Sequence, residues 1–363
     1  MMRKFAGMFA VALAIATTGF TPSTPRAAGM PDVATLQSIG PLTFGPGDVL
    51  FAADTQGAAI FALELGVAAK GGAPGAKDIA QIDQKIAALL GTDASAISVT
   101  DLAVHPTTKN AFIAVMRGQG ADAKPALVRV DGAGKLEAID LSALKSTRAM
   151  LPNAPTATTG RRNPRADSIT DMSFVGGTLI VAGLSNEEFS SKLRTIAYPF
   201  ARVEPGTSVE IYHGNHGQLE TRSPVYAFVP YSVAGTPHLI AGYLCTPLVK
   251  FPVASLHGAE KVVGTTIAEL GAGNRPLDML VYKKDGREFL LMSNTSRGVM
   301  KIPTDGFATA SPITSRIGGT AGIGYETIAT MTGIEQMDLL DGQRSIVLAR
   351  AGGALNLQAV PLP

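Results

Sequence analysis

A short-strand motif recurs along the chain at intervals of about fifty to seventy residues, and a repeat of that length restricts the fold more than any single residue can. Residues 97–114 read ISVTDLAVHPTTKNAFIA, residues 168–182 SITDMSFVGGTLIVA, residues 275–292 RPLDMLVYKKDGREFLLM, and residues 334–349 IEQMDLLDGQRSIVLA. Each copy has an apolar strand opening near an acidic residue, a tight turn, and a second strand ending in a polar loop. Asp101, Asp171 and Asp278 hold one position in three of the copies. Residues 225–241 fit the same frame, and a sixth copy starts near Pro41. A small twisted sheet cannot bury both faces alone, so the copies must stack on one another. Two intervals carry insertions. Residues 66–95 contain a helical stretch over 78–90, DIAQIDQKIAALL, apolar at spacings of three and four. Residues 146–167 form a loop rich in Pro, Thr and Arg, without periodicity.

Six units of up to four strands predict an all-β fold, a six-bladed β-propeller carrying a short helical insertion near residues 78–90. A seven-bladed ring is the alternative if the first insertion hides a blade, and its helical period opposes that. Abundant glycine (40) and proline (23) and a charged fraction of 17% agree with many short strands and tight turns. In strand rhythm, along nearly all of residues 29–363, the chain resembles the six-bladed β-propeller superfamily. The last copy shows only three strands. The segment Asp32–Ile39 is expected to supply the missing outer strand and close the ring.

Residues 1–28 read as a secretory signal. Arg3 and Lys4 precede an apolar run from Ala6 to about Phe20, too short to span a bilayer, and small residues follow at Ala27–Gly29. The expectation is a periplasmic or secreted protein, a propeller over 29–363, with no membrane span after cleavage. The formal charge is +2; without Arg3, Lys4 and Arg26 it becomes 2 − 3 = −1, which gives no global field for nucleic acid. The single cysteine, Cys245, rules out an internal disulfide.

A propeller gives every loop an address. With the strands of a blade lettered a to d from axis to rim, the d-to-a and b-to-c links share one face, here called the top. Ten of the fifteen arginines beyond residue 28 fall in top loops: Arg117, Arg148, Arg161, Arg162, Arg165, Arg222, Arg275, Arg297, Arg316 and Arg350. A guanidinium grips a carboxylate or phosphate with two parallel hydrogen bonds, whereas lysine acts as a hydrated point charge. Arg222 and Arg275 precede inner strands and should reach the mouth of the central channel. Arg297 should lie beside Arg275, with Glu220, Asn186 and Asn294 completing a ligand site.

The same face carries residues 213–222, HGNHGQLETR. His213 and His216, three apart in a loop, have a spacing that lets two imidazoles share an ion, calcium or zinc being the candidates, with Glu220 or Cys245 as further ligands. The competing reading is a glycine-flanked turn whose histidines bond only to their neighbours. Cys245 is a soft ligand, a thiolate nucleophile, or a small buried hydrophobe. Asp101, Asp171 and Asp278 either bind calcium near the axis with Asn186 or Asn294, or accept backbone N–H groups.

No catalytic constellation stands out. The favoured function is therefore an exported binding or accessory propeller whose arginine-rich top face takes an anionic small molecule or an acidic protein partner. The alternative is a metal-dependent hydrolase, lactonase- or esterase-like, with its site in the axial top pocket. The six-bladed lactonases and gluconolactonases that it would resemble place a metal-binding glutamate on the first inner strand, and residues 41–45 here contain none. A quinone-dependent sugar dehydrogenase shares the blade number but finds no cofactor motif in this chain.

Overall fold

The computed structural model describes residues 31–158, 163–257 and 261–363. The expected signal, Arg161 and Arg162 lie outside the described residues. Six antiparallel sheets stand in a ring as propeller blades, as the repeat predicts. Blade 1 runs from the axis through Leu42–Phe44, Val49–Asp54 and Ala59–Glu64. Blade 2 has Ile97–Val104, Ala111–Arg117, Lys124–Val130 and Leu136–Ile139. The inner strands of blades 3 to 6 are Asp171–Val175, Ala227–Val233, Pro276–Lys284 and Ile334–Leu339. Among the described residues, no helix is long and apolar enough to cross a membrane.

The chain does not visit the blades in ring order. After the third strand of blade 1 it leaves to build blade 2, then returns with Lys145–Met150 as the fourth strand of blade 1, Phe61 opposite Arg148. It then continues in the other direction through blades 3 to 6. The apolar clusters fix this arrangement, because each joins two blades. One cluster packs Phe61 of blade 1 on Phe112 of blade 2, and another packs Ile113 of blade 2 on Ile346 and Leu348 of blade 6. Phe51 of blade 1 meets Met172 and Val181 of blade 3, and the remaining clusters join blades 3 to 4, 4 to 5 and 5 to 6. The ring therefore runs 1, 3, 4, 5, 6, 2 and back to 1.

Two expectations about edges are corrected. Residues 146–150, expected to begin the aperiodic loop, belong instead to the strand Lys145–Met150, which pairs on both sides although it is mostly polar. Pro31–Val33 pairs with its outer edge, with Pro31 opposite Thr147, so the N-terminal segment serves blade 1 and not the last blade. Farther along, the Gln37 and Ser38 N–H groups donate to the buried Asp54 carboxylate at 2.8 and 2.9 Å. Blade 6 has three strands, and its open edge takes the helical insertion instead. Ile79 bridges to Leu357, and the helix Ile82–Leu89 buries Ile82 and Ile86 against blades 2 and 6.

Close approach of the backbone fixes one position at the top of blade 3. A Cβ on Gly183 would lie 2.1 Å from the Ser168 carbonyl oxygen. That link leads to Ile169 and Thr170, which line the mouth of the channel. Gly183→Ala must displace backbone rather than a flexible side chain. It is expected to destabilise by about 1–3 kcal/mol, read from the midpoint of chemical denaturation.

Candidate ligand and metal sites on the top face

Inner strands bring four carboxylates into the central channel: Asp101, Asp171, Asp278 and Asp338. Each links one blade to the next in the ring. Asp171 accepts the Phe228 N–H at 2.7 Å, Asp278 that of Met337 at 2.7 Å, Asp338 that of Val104 at 2.7 Å, and Asp101 that of Leu42 at 2.5 Å. A second oxygen of Asp171, Asp278 and Asp338 accepts the N–H of the following residue. Burial in the channel pushes all four carboxyls above their ordinary range, against those hydrogen bonds, and Asp338 reaches about 6. Gln336 stands in blade 6 where Asp101 and Asp278 stand in theirs, just after a β-bulge. With its amide nitrogen turned inward, it donates to Asp101 at 2.8 Å and Asp278 at 3.2 Å. The aspartates thus accept backbone N–H groups, as the turn-and-bridge reading expects. Asp338 escaped the sequence comparison because it lies two residues beyond the shared position.

Above these carboxylates the channel opens into a cavity of about 1220 Å³ lined by Gln37, Gln56, Lys124, Tyr226, Arg275 and Gln336, among others. Arg275 lies where its address places it, immediately before an inner strand, with its guanidinium 4.1 Å above the Tyr226 ring centroid. Arg222 does not join it. The inner strand of blade 4 starts only at Ala227, so Tyr226 occupies the mouth and Arg222 is exposed outside its lining. Arg297 turns away as well: it lies against Gly271 and donates to the Ala272 carbonyl at 3.1 Å. Asn294 is buried in bonds with Asn274 and the Met292 carbonyl, while Asn186 is exposed and its N–H donates to the Asn153 carbonyl. Glu220 belongs to the histidine loop. Among the described residues, then, Arg275 and Lys124 are the cations of the mouth. Two further rim arginines have local partners, Arg350 on Glu335 and Arg117 on the Gly91 carbonyl.

The histidine loop converges. His213 ends the fourth strand of blade 3, and the chain folds straight back, pairing His213 with Gln218 and Ile211 with Glu220. That hairpin sets Glu220 beneath both imidazoles: Nδ1 of His213 lies 2.9 Å from one carboxylate oxygen and Nδ1 of His216 lies 2.5 Å from the other. The ring centroids are 3.9 Å apart. Burial raises the Glu220 carboxyl, but the bonds from His213, Gln218 and His216 outweigh it and hold the group below its usual range.

Blade 4 supplies the other side. Glu269, fully buried, accepts the Gly214 N–H at 2.6 Å and the Asn215 amide at 2.9 Å, and burial raises its carboxyl. Its Oε2 stands 4.0 Å from Nε2 of His213, a buried nitrogen with no hydrogen-bond partner among the described residues. Cys245 and Thr246 both adopt left-handed backbone, φ 63° and 56°, a conformation costly for a β-branched residue. Bonds from the Cys245 N–H to the Asn274 carbonyl and from the Thr246 hydroxyl to the Gly271 carbonyl hold this turn. The result is that one nitrogen of each ring and the Cys245 sulfur all lie within 4.8 Å of one another. No other such trio of His, Cys, Asp or Glu is found among the described residues.

No family model matches the chain. No curated protein matches it either. Solved structures similar to it include the β-propeller domain of Cps50 (Swd1) from Myceliophteria thermophila, 12% identical with a TM-score of 0.37, covering 89% of this chain and 83% of that one. Extracellular domains 1–2 of Drosophila Semaphorin 1b match at 10% identity and a TM-score of 0.33, over 93% of this chain and 87% of that one. The PQQ-bound aldose sugar dehydrogenase of Streptomyces coelicolor matches at 13% identity and 0.32, over 92% of this chain and all (100%) of that one. Values so low say nothing about activity. The blade pairing and inter-blade cores are what establish the architecture, a six-bladed β-propeller arrangement.

Proposed function

We propose that this chain is an exported binding propeller that takes an anionic small molecule in the axial mouth of its top face. Arg275 carries the reading. Its guanidinium face rests on Tyr226, its edge is exposed at a cavity of about 1220 Å³, and no carboxylate pairs with it among the described residues. Stacking one face of a guanidinium leaves its N–H fork free for two parallel bonds to a carboxylate or phosphate. Lys124 adds charge, and Gln37, Gln56 and Gln336 offer neutral donors and acceptors around it. A concave, polar-lined mouth suits a small molecule better than the broad face of a protein partner. Export rests on the signal-like residues 1–28 of the sequence.

The test is thermal shift with citrate, inorganic phosphate and a sugar phosphate, since a ligand that binds only the folded state raises the melting temperature. At least one anion is expected to stabilise the protein, and Arg275→Lys should weaken that binding about tenfold or more although the charge is kept, because the fork is lost. The reading fails if no anion stabilises the wild type, or if Arg275→Lys and Arg275→Ala respond as it does.

A further inference from the structure

The cluster between blades 3 and 4 has features that hydrogen bonding within a turn does not require. We propose that His213, His216 and Cys245 form a transition-metal centre, with Glu269 beside His213, that fastens the histidine hairpin of blade 3 to blade 4. Three observations carry this. The donors converge from two blades, the rings from the hairpin and the sulfur from the left-handed turn after Thr236–Gly242. One carboxylate, Glu220, engages Nδ1 of both rings and leaves each Nε2 as the remaining donor. Nε2 of His213, on a side chain only 3% exposed, has no hydrogen-bond partner among the described residues and faces a carboxylate oxygen 4.0 Å away, a spacing too long for a hydrogen bond.

That pattern is the one metal-ligating histidines show, with the far ring nitrogen held by a carboxylate that fixes ring orientation. In a turn held only by hydrogen bonds, a buried imidazole nitrogen without a partner is a cost with no return. Two imidazoles and one sulfur select a borderline or soft late transition metal, zinc or copper, over calcium, which takes oxygen donors. A tetrahedral zinc with ordinary bond lengths sets its donors roughly 3.3–3.6 Å apart. The present trio, within 4.8 Å, needs to draw in by about an ångström. His216, half exposed, and Cys245, part-exposed, have the freedom to move. Binding balances simply: the divalent ion enters, the thiol proton leaves to solvent, and no electron is transferred.

Full-length protein, processed as the cell processes it and stripped with a chelator, is titrated with Zn²⁺, Co²⁺ and Cu²⁺ in turn. One ion per chain is expected. Co²⁺ should give the intense visible bands of a tetrahedral site together with a thiolate charge-transfer band, and Zn²⁺ should raise the melting temperature. A Cu²⁺ complex with a strong visible thiolate band and no stabilisation by Zn²⁺ assigns the same donors to copper. Cys245→Ser should remove the charge-transfer band. His216→Ala, at the exposed ring and so least disruptive to folding, should abolish one-to-one binding. Glu220→Gln should keep the spectrum but weaken affinity about 10–100-fold. The proposal is overturned if the stripped wild type binds none of the three ions, or if Cys245→Ser and His216→Ala bind them as the wild type does.

Discussion

Ile82→Ala is expected to cost about 2–5 kcal/mol of stability, among the largest effects of any single truncation in this protein. Ile82 is fully buried where blades 2 and 6 meet, beside Ile79, Ile86, Leu340, Ile346 and Leu355. A ring fails first where its two ends join. Because the chain builds blade 2 as an early excursion and blade 6 last, the joint lies between these two, and the segment 78–89 is inserted at it. Its second role is to satisfy an edge. The outer strand Ala354–Pro361 directs alternate N–H groups away from its own sheet, and the strap receives three in succession. The Leu355 N–H donates to the Asp83 carboxylate at 3.1 Å, that of Leu357 to the Ile79 carbonyl at 3.0 Å, and that of Ala359 to the Asp78 carboxylate at 2.7 Å. Left open, such an edge exposes unpaired donors and invites pairing with another chain.

The measurement is chemical denaturation combined with amide hydrogen exchange. In Ile82→Ala the amides of Leu355, Leu357 and Ala359 should exchange faster well before the remaining blades do, and the variant should self-associate more readily as the edge is uncovered. A uniform loss of protection across all blades, or no loss at these three amides, would show that the strap is not the closing element.

How much of this was legible follows from which interactions leave a period in the sequence. Blade number was legible because inner and second strands alternate and repeat, and the helix 82–89 was legible because Ile82 and Ile86 recur at helical spacing. The partner of that helix was not, since an edge capped by Asp78 and Asp83 carboxylates leaves no pattern distinguishable from ordinary surface charge. Nor was the ring order legible, because inner strands resemble one another. The one trace of the excursion is the polar strand 145–150, which its composition disguises as a loop. In the site, loop addresses brought Cys245 and the two histidines to one face, and the hairpin did the rest. The same addresses failed for Arg222 and Arg297. Sequence order assigns a face but not a radius: Tyr226 and Arg275, directly before inner strands, reach the axial mouth, whereas Arg222, five residues before one, does not.

Between pH 7 and pH 5 the protein should become more stable, not less, and Asp338→Asn should flatten that slope. The sign follows from the carboxyls of the channel. Asp338 is pushed up to about 6 by burial, more strongly than its bonds from the Val104 and Leu339 N–H groups and the charge of Lys109 lower it. A carboxyl that holds its proton more tightly folded than unfolded makes the folded state the richer in protons between its unfolded value, about 3.9, and its folded one. Stability then falls as pH rises through that window and is regained on acidification. Two units correspond to roughly 3 kcal/mol at most, and solvent in the channel reduces this to on the order of 1–2 kcal/mol. Asp101, Asp171 and Asp278 are raised as well and add to the slope in the same sense. Glu220 and Glu187 act oppositely, because their partners hold them below the usual range, so their contribution is lost only in stronger acid. The expected profile is a maximum near the middle of the acid range, with a decline on either side. Above a pH of about 6, where Asp338 is ionised, Asp338→Asn also loses one of the two acceptors that the carboxylate presents to the Val104 and Leu339 N–H groups, which shifts the curve. The informative quantity is therefore the slope of melting temperature against pH between 5 and 7, not its offset. A slope in Asp338→Asn equal to that of the wild type would mean that Asp338 ionises as an ordinary surface carboxyl and does not carry the effect.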